Sequence, residues 1–181
     1  MKPTKKIAVI GSKKSGKTSI AEILVSHLAN LGFVVGTLKH IHHVDFTIDK
    51  EGSDTWRHRR AGAKVTAYIS PHEAGLLVNL KREPESLEEA LQFVKNSDLD
   101  VLIIEGLHRL IAKRTDVGKI IAFKDLEDLE ERLQGTQPPI LAACTFNKDI
   151  ERSFHGNVEC LFLPRDKDKL LKIVELFMKS Q

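Results

Sequence analysis

The sequence predicts an α/β fold with a mostly parallel sheet covered by helices on both faces. An apolar, β-branched run over residues 6–10 leads into a glycine-containing loop, and apolar residues at helical spacing follow over 18–28. A second strand, residues 33–40, comes after this helix, so the two strands are expected to be parallel. Residues 99–106 form an apolar run containing Glu105, typical of a strand buried on both faces.

Capping signals predict where the shorter helices begin and end. Ser53 or Asp54 can begin a helix that Gly62 ends, because these side chains accept from free N–H groups and glycine accepts a left-handed end. Ser86 and Glu89 form a capping box at the start of another helix. Further helices are predicted over residues 126–133 and 166–179.

The segments 64–70 and 75–80 are predicted strands with only a short connection between them. Such a short connection predicts a hairpin, so part of the sheet is expected to be antiparallel. The polar segment 107–118 is predicted to be a mobile loop. No linker interrupts the sequence, which predicts a single nucleotide-binding domain over residues 1–181. The remaining predicted strands are 119–123, 140–146 and 158–163.

The loop Gly11–Thr18 fits the phosphate-loop pattern G-x-x-x-x-G-K-[ST] without a mismatch. Its place between a strand and a helix predicts the fold of P-loop NTPases, because backbone N–H groups at a helix start bind anions. Lys17 is expected to reach the outer phosphates and to face solvent in an empty site, and the Thr18 hydroxyl to ligate Mg²⁺. The predicted nucleotide-binding residues are Gly11, Ser12, Lys13, Lys14, Ser15, Gly16, Lys17, Thr18 and Ser19.

Glu105 is predicted to be a second site residue, because ligands of open α/β sheets gather at the carboxyl ends of the strands. Its carboxylate is expected to face the metal ion held by Thr18, or to orient a water molecule. Asp49 could hold the same ion through water. We therefore predict catalytic roles for Lys17 and Glu105, and a magnesium site formed by Thr18, Glu105 and Asp49.

A group of histidine and arginine residues follows the second strand. The histidines and aspartates of residues 40–49 could bind a metal ion, meet an anionic partner or simply lie at the surface, and their spacing fits no structural zinc pattern. The basic helical segment 57–60 is either a solvated face or a phosphate clamp. The possible second anion or partner site consists of His40, His42, His43, Arg57, His58 and Arg59.

The segment Asn147-Lys148-Asp149 follows a predicted strand at the place where many GTP-binding proteins carry N-K-x-D to read guanine. The aspartate stands one position too early for that pattern. This segment therefore does not determine whether the bound nucleotide carries guanine or adenine.

Composition excludes several classes of protein. The chain has 28 Lys and Arg against 25 Asp and Glu, and a net charge of +3 is too small to suggest a nucleic-acid binder. No apolar run reaches membrane-spanning length, and the N-terminal residues show no apolar signal-peptide core. Cys144 and Cys160 lie in apolar runs, which favours reduced, buried thiols over a disulfide framework. We expect a cytoplasmic protein without nucleic-acid or membrane partners.

Three segments resemble the molybdopterin-guanine dinucleotide biosynthesis protein B (MobB) family: the loop Gly11–Thr18, the run 39–63 with its Lys-His-x-His-His and Arg-His-Arg sequences, and Glu105-Gly106. The resemblance implies a homodimer that binds GTP with Mg²⁺, hydrolyses it weakly, and assists the guanylyltransferase that joins GMP to molybdopterin. It also implies contact with that enzyme and with the molybdenum cofactor. Where the family often continues Glu-Gly with an aromatic residue and lysine, this chain has Leu107 and His108.

Two other functions stay open. A nucleotide-gated adaptor would have no useful catalysis, and its nucleotide state would set its affinity for a partner enzyme. A small-molecule kinase would need a basic lid, which the segment 107–118 with Arg109, Lys113 and Arg114 could supply. No residue identifies itself as a general base, which favours slow turnover.

Overall fold

The computed structural model describes residues 3–95, 97–150, 158–163 and 165–180. They form two compact units: unit 1 is made of the described residues of Met1–His40 and Ser86–Gln181, and unit 2 is Ile41–Glu85. The single domain over the whole chain stays a prediction, because a compact unit need not fold independently.

Strands and helices alternate along most of the described chain, as the sequence predicts. Most elements begin and end within a few residues of the predicted positions. In chain order they are β1 (Lys5–Gly11), α1 (Lys17–Asn30), β2 (Val35–Lys39), α2 (Asp54–Arg60), β3 (Val65–Ile69), β4 (Ala74–Val78), α3 (Leu87–Leu91), β5 (Val101–Glu105), α4 (His108–Ile111), β6 (Gly118–Ala122), α5 (Leu126–Leu133), β7 (Ile140–Thr145), β8 (Cys160–Phe162) and α6 (Lys167–Lys179).

Unit 1 contains a six-stranded sheet in the order β2-β5-β1-β6-β7-β8. Each pair of neighbouring strands in this sheet is parallel. Leu24 of α1 and Val174 of α6 belong to the core on one face, and Ile111 of α4 and Leu129 of α5 belong to the core on the other. The prediction of a mostly parallel sheet covered on both faces is therefore confirmed.

The first strand, β1, shows why the strands of this sheet have continuous apolar sequences. Ile7 and Val9 of β1 pack in one core, whereas Ala8 and Ile10 pack in the other, and all of them are buried. Successive side chains of a strand point to opposite faces, so a strand between two helical layers needs an apolar residue at every position.

The predicted hairpin forms in unit 2. Val65 of β3 lies opposite Val78 of β4, and Ile69 lies opposite Ala74, in antiparallel pairing. These strands form a separate two-stranded sheet, so the expectation that they make part of the main sheet antiparallel is wrong. A short turn pairs two strands locally, but it does not determine whether a larger sheet accepts them.

The segment 107–118, predicted to be a mobile loop, contains the short helix α4 and is therefore not a loop throughout. Ile111 and Val117 are fully buried. The Arg114 guanidinium lies 2.6 Å from a Glu88 oxygen and 2.7 Å from an Asp116 oxygen. Two buried apolar side chains and one paired arginine therefore fix a segment whose remaining residues are mostly polar.

The predicted helix caps and free thiols are confirmed. The Ser53 hydroxyl accepts from the Trp56 N–H at 3.2 Å, and the Ser86 hydroxyl accepts from the Glu89 N–H at 3.2 Å. Both cysteines are free thiols, but only Cys144 is buried: Cys160 is half-buried, because its strand β8 lies at the edge of the sheet. Burial raises the pKa of Cys160 to about 11. Among the described residues, no helix is long and apolar enough to cross a membrane.

Leu24→Ala is expected to lower the free energy of unfolding by about 3 kcal/mol, because it removes a buried side chain and leaves a cavity. Leu176→Ala is the matched control, since Leu176 also lies on a helix but is 69% exposed, and it should change that free energy by less than about 0.5 kcal/mol. Urea unfolding followed by circular dichroism measures both. Equal losses would contradict the packing of α1 described here.

Candidate functional site

The phosphate loop joins β1 to α1, and two of its glycines are required by close packing. A Cβ on Gly11 would lie 2.1 Å from the carbonyl oxygen of Ala122, and a Cβ on Gly16 would lie 2.4 Å from the Phe146 ring. Gly16 also has a φ of 90°, a left-handed conformation that favours glycine. The close packing of Ala122 in β6 and of Phe146 just after β7 therefore leaves room only for glycine at these two loop positions.

Lys17 bends back over the loop. Its Nζ donates to the Ser12 carbonyl at 2.5 Å, and the Ser15 hydroxyl donates to the same oxygen at 2.9 Å. Burial lowers the pKa of Lys17, while the charges of Glu105 and Asp128 act in the opposite direction. The expectation that Lys17 faces solvent is wrong, because its side chain is half-buried. Side chains of a helix tilt towards its N-terminus, so a lysine at the start of α1 lies over the preceding loop.

Asp128 of α5 supports the loop and was missed by the sequence analysis. The Ser12 hydroxyl donates to Asp128 Oδ2 at 2.7 Å, and the Lys124 N–H donates to the same oxygen at 3.2 Å. Asp128 is only 4% exposed, and Arg132 Nε lies 3.6 Å from its other oxygen. A buried carboxylate that is paired and hydrogen-bonded in this way holds its partners in place.

Thr18 and Glu105, predicted from separate segments, come together. The Thr18 hydroxyl donates to Glu105 Oε1 at 2.8 Å. Lys39 is a further member of this group that was not predicted: its Nζ lies 3.0 Å from Glu105 Oε1, 3.1 Å from Oε2 and 3.3 Å from Thr18 Oγ1. Its position at the end of β2 was the available signal, because Glu105 was predicted from the same position on β5.

Thr18 and Glu105 fit the predicted magnesium ion. Hydroxyl and carboxylate oxygens are the hard ligands that Mg²⁺ prefers. The ammonium group of Lys39 contacts both side chains, which shows that these oxygens attract a cation. When bound, the ion would therefore be held by Thr18 and Glu105 beside the phosphate loop.

Asp49 and Arg59 are both engaged within unit 2. Asp49 accepts from the Thr55 hydroxyl at 2.7 Å and from the Ser53 hydroxyl at 3.1 Å, and these bonds, with that from Thr55 the strongest, lower the pKa of its carboxyl. Arg59 donates Nε and Nη2 to Asn79 Oδ1 at 3.1 and 3.0 Å, and its Nη1 lies 3.5 Å from Asp49. Their roles in metal and anion binding stay predictions.

The other residues of the predicted second anion site are divided between the units. His40 belongs to unit 1, whereas the exposed His42, His43, Arg57 and His58 belong to unit 2. In the part of the chain that the structure describes, no three or more histidine, cysteine, aspartate and glutamate side chains form a group that could hold a metal ion. The second anion or partner site stays a prediction.

A cavity of about 400 Å³ adjoins the phosphate loop. Phe146 lies at this cavity with 42% of its surface exposed, and its ring is close to the loop at Gly16. The Asn147 side-chain oxygen accepts from the Asp149 N–H at 3.1 Å. An aromatic ring beside a phosphate loop suits the flat base of a nucleotide. The lining residues are Lys14, Ser15, Gly16, Ser19, Phe123, Lys124, Thr145, Phe146 and Asn147.

Comparison with known sequences identifies relatives of this chain. The family model described as "Molybdopterin guanine dinucleotide synthesis protein B" matches residues 6–145. A relative from Methanocaldococcus jannaschii is 33% identical over 119 residues, which are 66% of this chain and 47% of the relative. The "Molybdopterin-guanine dinucleotide biosynthesis adapter protein" of Escherichia coli is 33% identical over 115 residues, 61% of either chain. The chain thus spans only about half to three fifths of the length of these relatives.

Solved structures share the fold. The crystal structure of Bacillus subtilis MobB has a TM-score of 0.71 and 25% identity, over 93% of this chain and 97% of that one. A MobB homologue from Bacillus stearothermophilus has a TM-score of 0.69 at 21% identity, over 96% and 97% of the two chains. The predicted P-loop NTPase fold is therefore confirmed. Because the family model also matches more than half of the sequence, this chain belongs to the molybdopterin guanine dinucleotide synthesis protein B (MobB) family.

Proposed function

We propose that this protein is a GTP-binding helper with weak GTPase activity that assists the guanylylation of molybdopterin in molybdenum cofactor synthesis. The observation that carries the proposal is the hydrogen bond between Thr18 and Glu105 beside a complete phosphate loop, where the charge of Glu105 also acts on Lys17. Membership of the MobB family supports the pathway. The proposed partners are GTP, the molybdopterin guanylyltransferase and the molybdenum cofactor.

The phosphate loop would bind the triphosphate through an exchange of partners. Lys17 donates to the Ser12 carbonyl, a neutral acceptor, whereas a phosphate oxygen is charged and accepts more strongly. Lys17 would therefore leave Ser12 for the phosphate, while Ser12 keeps its hydroxyl bond to Asp128. Mg²⁺, when bound, neutralises charge on the phosphate oxygens, and Thr18 and Glu105 would hold it.

The carboxylates near the loop support slow hydrolysis. Both oxygens of Glu105 contact Lys39, and one also accepts from Thr18. Asp128 is buried and accepts from Ser12 and Lys124. A general base accepts a proton from the attacking water, and the donors around both carboxylates compete with that water for the carboxylate lone pairs.

The proposed preference for GTP rests on the family and on the cavity beside the loop. Phe146 would stack on the base, since stacking on an aromatic side chain is favourable for any base. Asn147 lines the same cavity, and Asp149 follows it closely, so these two are the proposed readers of guanine despite their unusual spacing.

An adaptor role is the second candidate. The E. coli relative is named an adapter protein, and nucleotide-dependent binding of a partner enzyme is compatible with slow hydrolysis. A kinase has less support, because Arg114 of the suggested lid is paired with Glu88 and Asp116. Burial and the charge of Arg132 also lower the pKa of His108, which makes this neighbouring side chain a poor phosphate ligand at neutral pH.

We also propose that the protein is a homodimer in the cytoplasm. One face of the unit 2 hairpin exposes Val65, Ile69 and Leu76, with 49%, 88% and 61% of their surfaces accessible. An exposed apolar sheet face of this kind favours association with a second copy. The free thiols of Cys144 and Cys160 are compatible with a reducing compartment.

The proposed function predicts a magnesium-dependent preference for GTP over ATP. Titration calorimetry of each nucleotide, with and without Mg²⁺, on one preparation measures it. Equal affinities, or a preference for ATP, would contradict the guanylylation role while leaving the phosphate loop intact.

Lys17→Ala is the control variant: its affinity for GTP should fall at least about a hundredfold, because two or more charge-assisted hydrogen bonds are lost. Thermal unfolding of the variant separates lost binding from lost folding.

Phe146→Ala is expected to weaken GTP binding by about tenfold, because one stacking contact with the base is removed. The control ligand is inorganic tripolyphosphate, which has no base. Its affinity should not change, as measured by the same calorimetry. An equal loss for tripolyphosphate would show that Phe146 acts only by packing on Gly16, and would contradict its role at the base.

Ile69→Asp is expected to convert the dimer into a monomer, because it places a charge at the most exposed residue of the proposed apolar contact. Analytical ultracentrifugation of the wild type and the variant measures the mass. His72→Asp, in the exposed hairpin turn, is the control and should remain dimeric. A monomeric wild type, or a dimeric Ile69→Asp, would be evidence against this interface.

A further inference from the structure

The pairing of β2 and β1 with β5 brings Lys39 and Glu105 close to Thr18 at the start of α1. In the parallel register of β2 and β5, Lys39 lies directly opposite Glu105, and in the register of β1 and β5, Val9 lies opposite Glu105. Side chains at paired positions of neighbouring strands point to the same face. Lys39 and Glu105 are therefore held side by side at the carboxyl end of the sheet, next to the strand that leads into the phosphate loop.

The contacts of Lys39 go beyond a simple surface ion pair. Its Nζ lies within 3.1 Å of both Glu105 oxygens and 3.3 Å from the Thr18 hydroxyl, which also donates to Glu105. The side chain of Glu105 is only 13% exposed, whereas that of Lys39 is 50% exposed. The carboxylate is thus fixed, and the ammonium group approaches it from the solvent side on a flexible stem.

We propose that Lys39 is the internal counter-cation of the magnesium position, and that Mg²⁺ arriving with a nucleotide displaces it from Thr18 and Glu105. This inference rests on the phosphate-loop site of the proposed function. The ammonium group contacts the two side chains that fit the metal ion, and two cations that share the same oxygens repel each other. Binding of the ion and the contacts of Lys39 with the same oxygens therefore oppose each other.

The exchange makes metal binding depend on the nucleotide. A free divalent cation gains one hydroxyl and one carboxylate but must first displace Lys39. A cation that arrives with phosphates brings further charge-neutralising oxygens, and the phosphates offer the released ammonium group a new acceptor. The protein by itself should bind divalent cations weakly for this reason.

The test is Lys39→Met, a neutral side chain of similar length, with Mn²⁺ as the probe and no nucleotide present. Electron paramagnetic resonance counts free Mn²⁺ in a titration of the protein. The variant is expected to bind Mn²⁺ about tenfold or more tightly than the wild type, because a unit positive charge has been removed from contact with the same oxygens. Lys39→Arg keeps the charge and should behave like the wild type.

Lys172→Met is the matched control, since Lys172 is an exposed residue of α6 and its loss changes the net charge equally. Unchanged or undetectable Mn²⁺ binding by Lys39→Met would overturn the proposal, and so would an equal gain in Lys172→Met. Lys39→Gln provides the same neutral test if the methionine variant does not fold. This titration needs no nucleotide, so it tests the proposal about Lys39 separately from the proposed function. A failure of GTP binding in the calorimetry would contradict the proposed function alone.

Discussion

The parallel pairing of β5 with both β1 and β2 is the constraint on which the site depends. It places the carboxyl ends of three strands at one edge of the sheet, so that the phosphate loop, Glu105 and Lys39 are neighbours although they are distant in sequence. Parallel strands need crossover connections, and α1 provides the one between β1 and β2. The apolar layers on both faces hold these strands in register, so the packing that stabilises the sheet also sets the geometry of the site.

The loop itself is held by contacts from several directions. Asp128 fixes the Ser12 side chain, Ala122 leaves no room for a Cβ at Gly11, and Phe146 leaves none at Gly16. Such support allows the backbone N–H groups of the loop to face an anion with little reorganisation. Within this frame, the movable groups are the lysine side chains. The proposed phosphate binding would therefore be largely an exchange of lysine partners, and the loop backbone would keep its conformation.

Local patterns in the sequence predicted most of the strands and helices and three residues of the candidate site. Ser53 and Ser86 were recognisable as caps, and Lys17, Thr18 and Glu105 were recognisable because their positions relative to strand and helix ends have fixed physical consequences. The end of β2 was a signal for Lys39, but the contacts that Lys39 and Asp128 make could not be predicted in the same way. Their contacts depend on which strands and helices become neighbours, and strand order is a property of the folded sheet. The separate sheet formed by the hairpin was unpredictable for the same reason.

A phosphate loop alone does not separate a GTPase, an adaptor and a kinase, because all three use the same anion site. What separates them is the state of the groups around it. Here the carboxylate nearest the metal position already has two partners, one of them a cation, and the buried carboxylate behind the loop is committed to holding Ser12. An efficient hydrolase needs a base that is ready when substrate binds. Because hydrogen-bond donors already contact both carboxylates, a general base would become available only after these partners are exchanged, which is consistent with the slow turnover proposed for this protein.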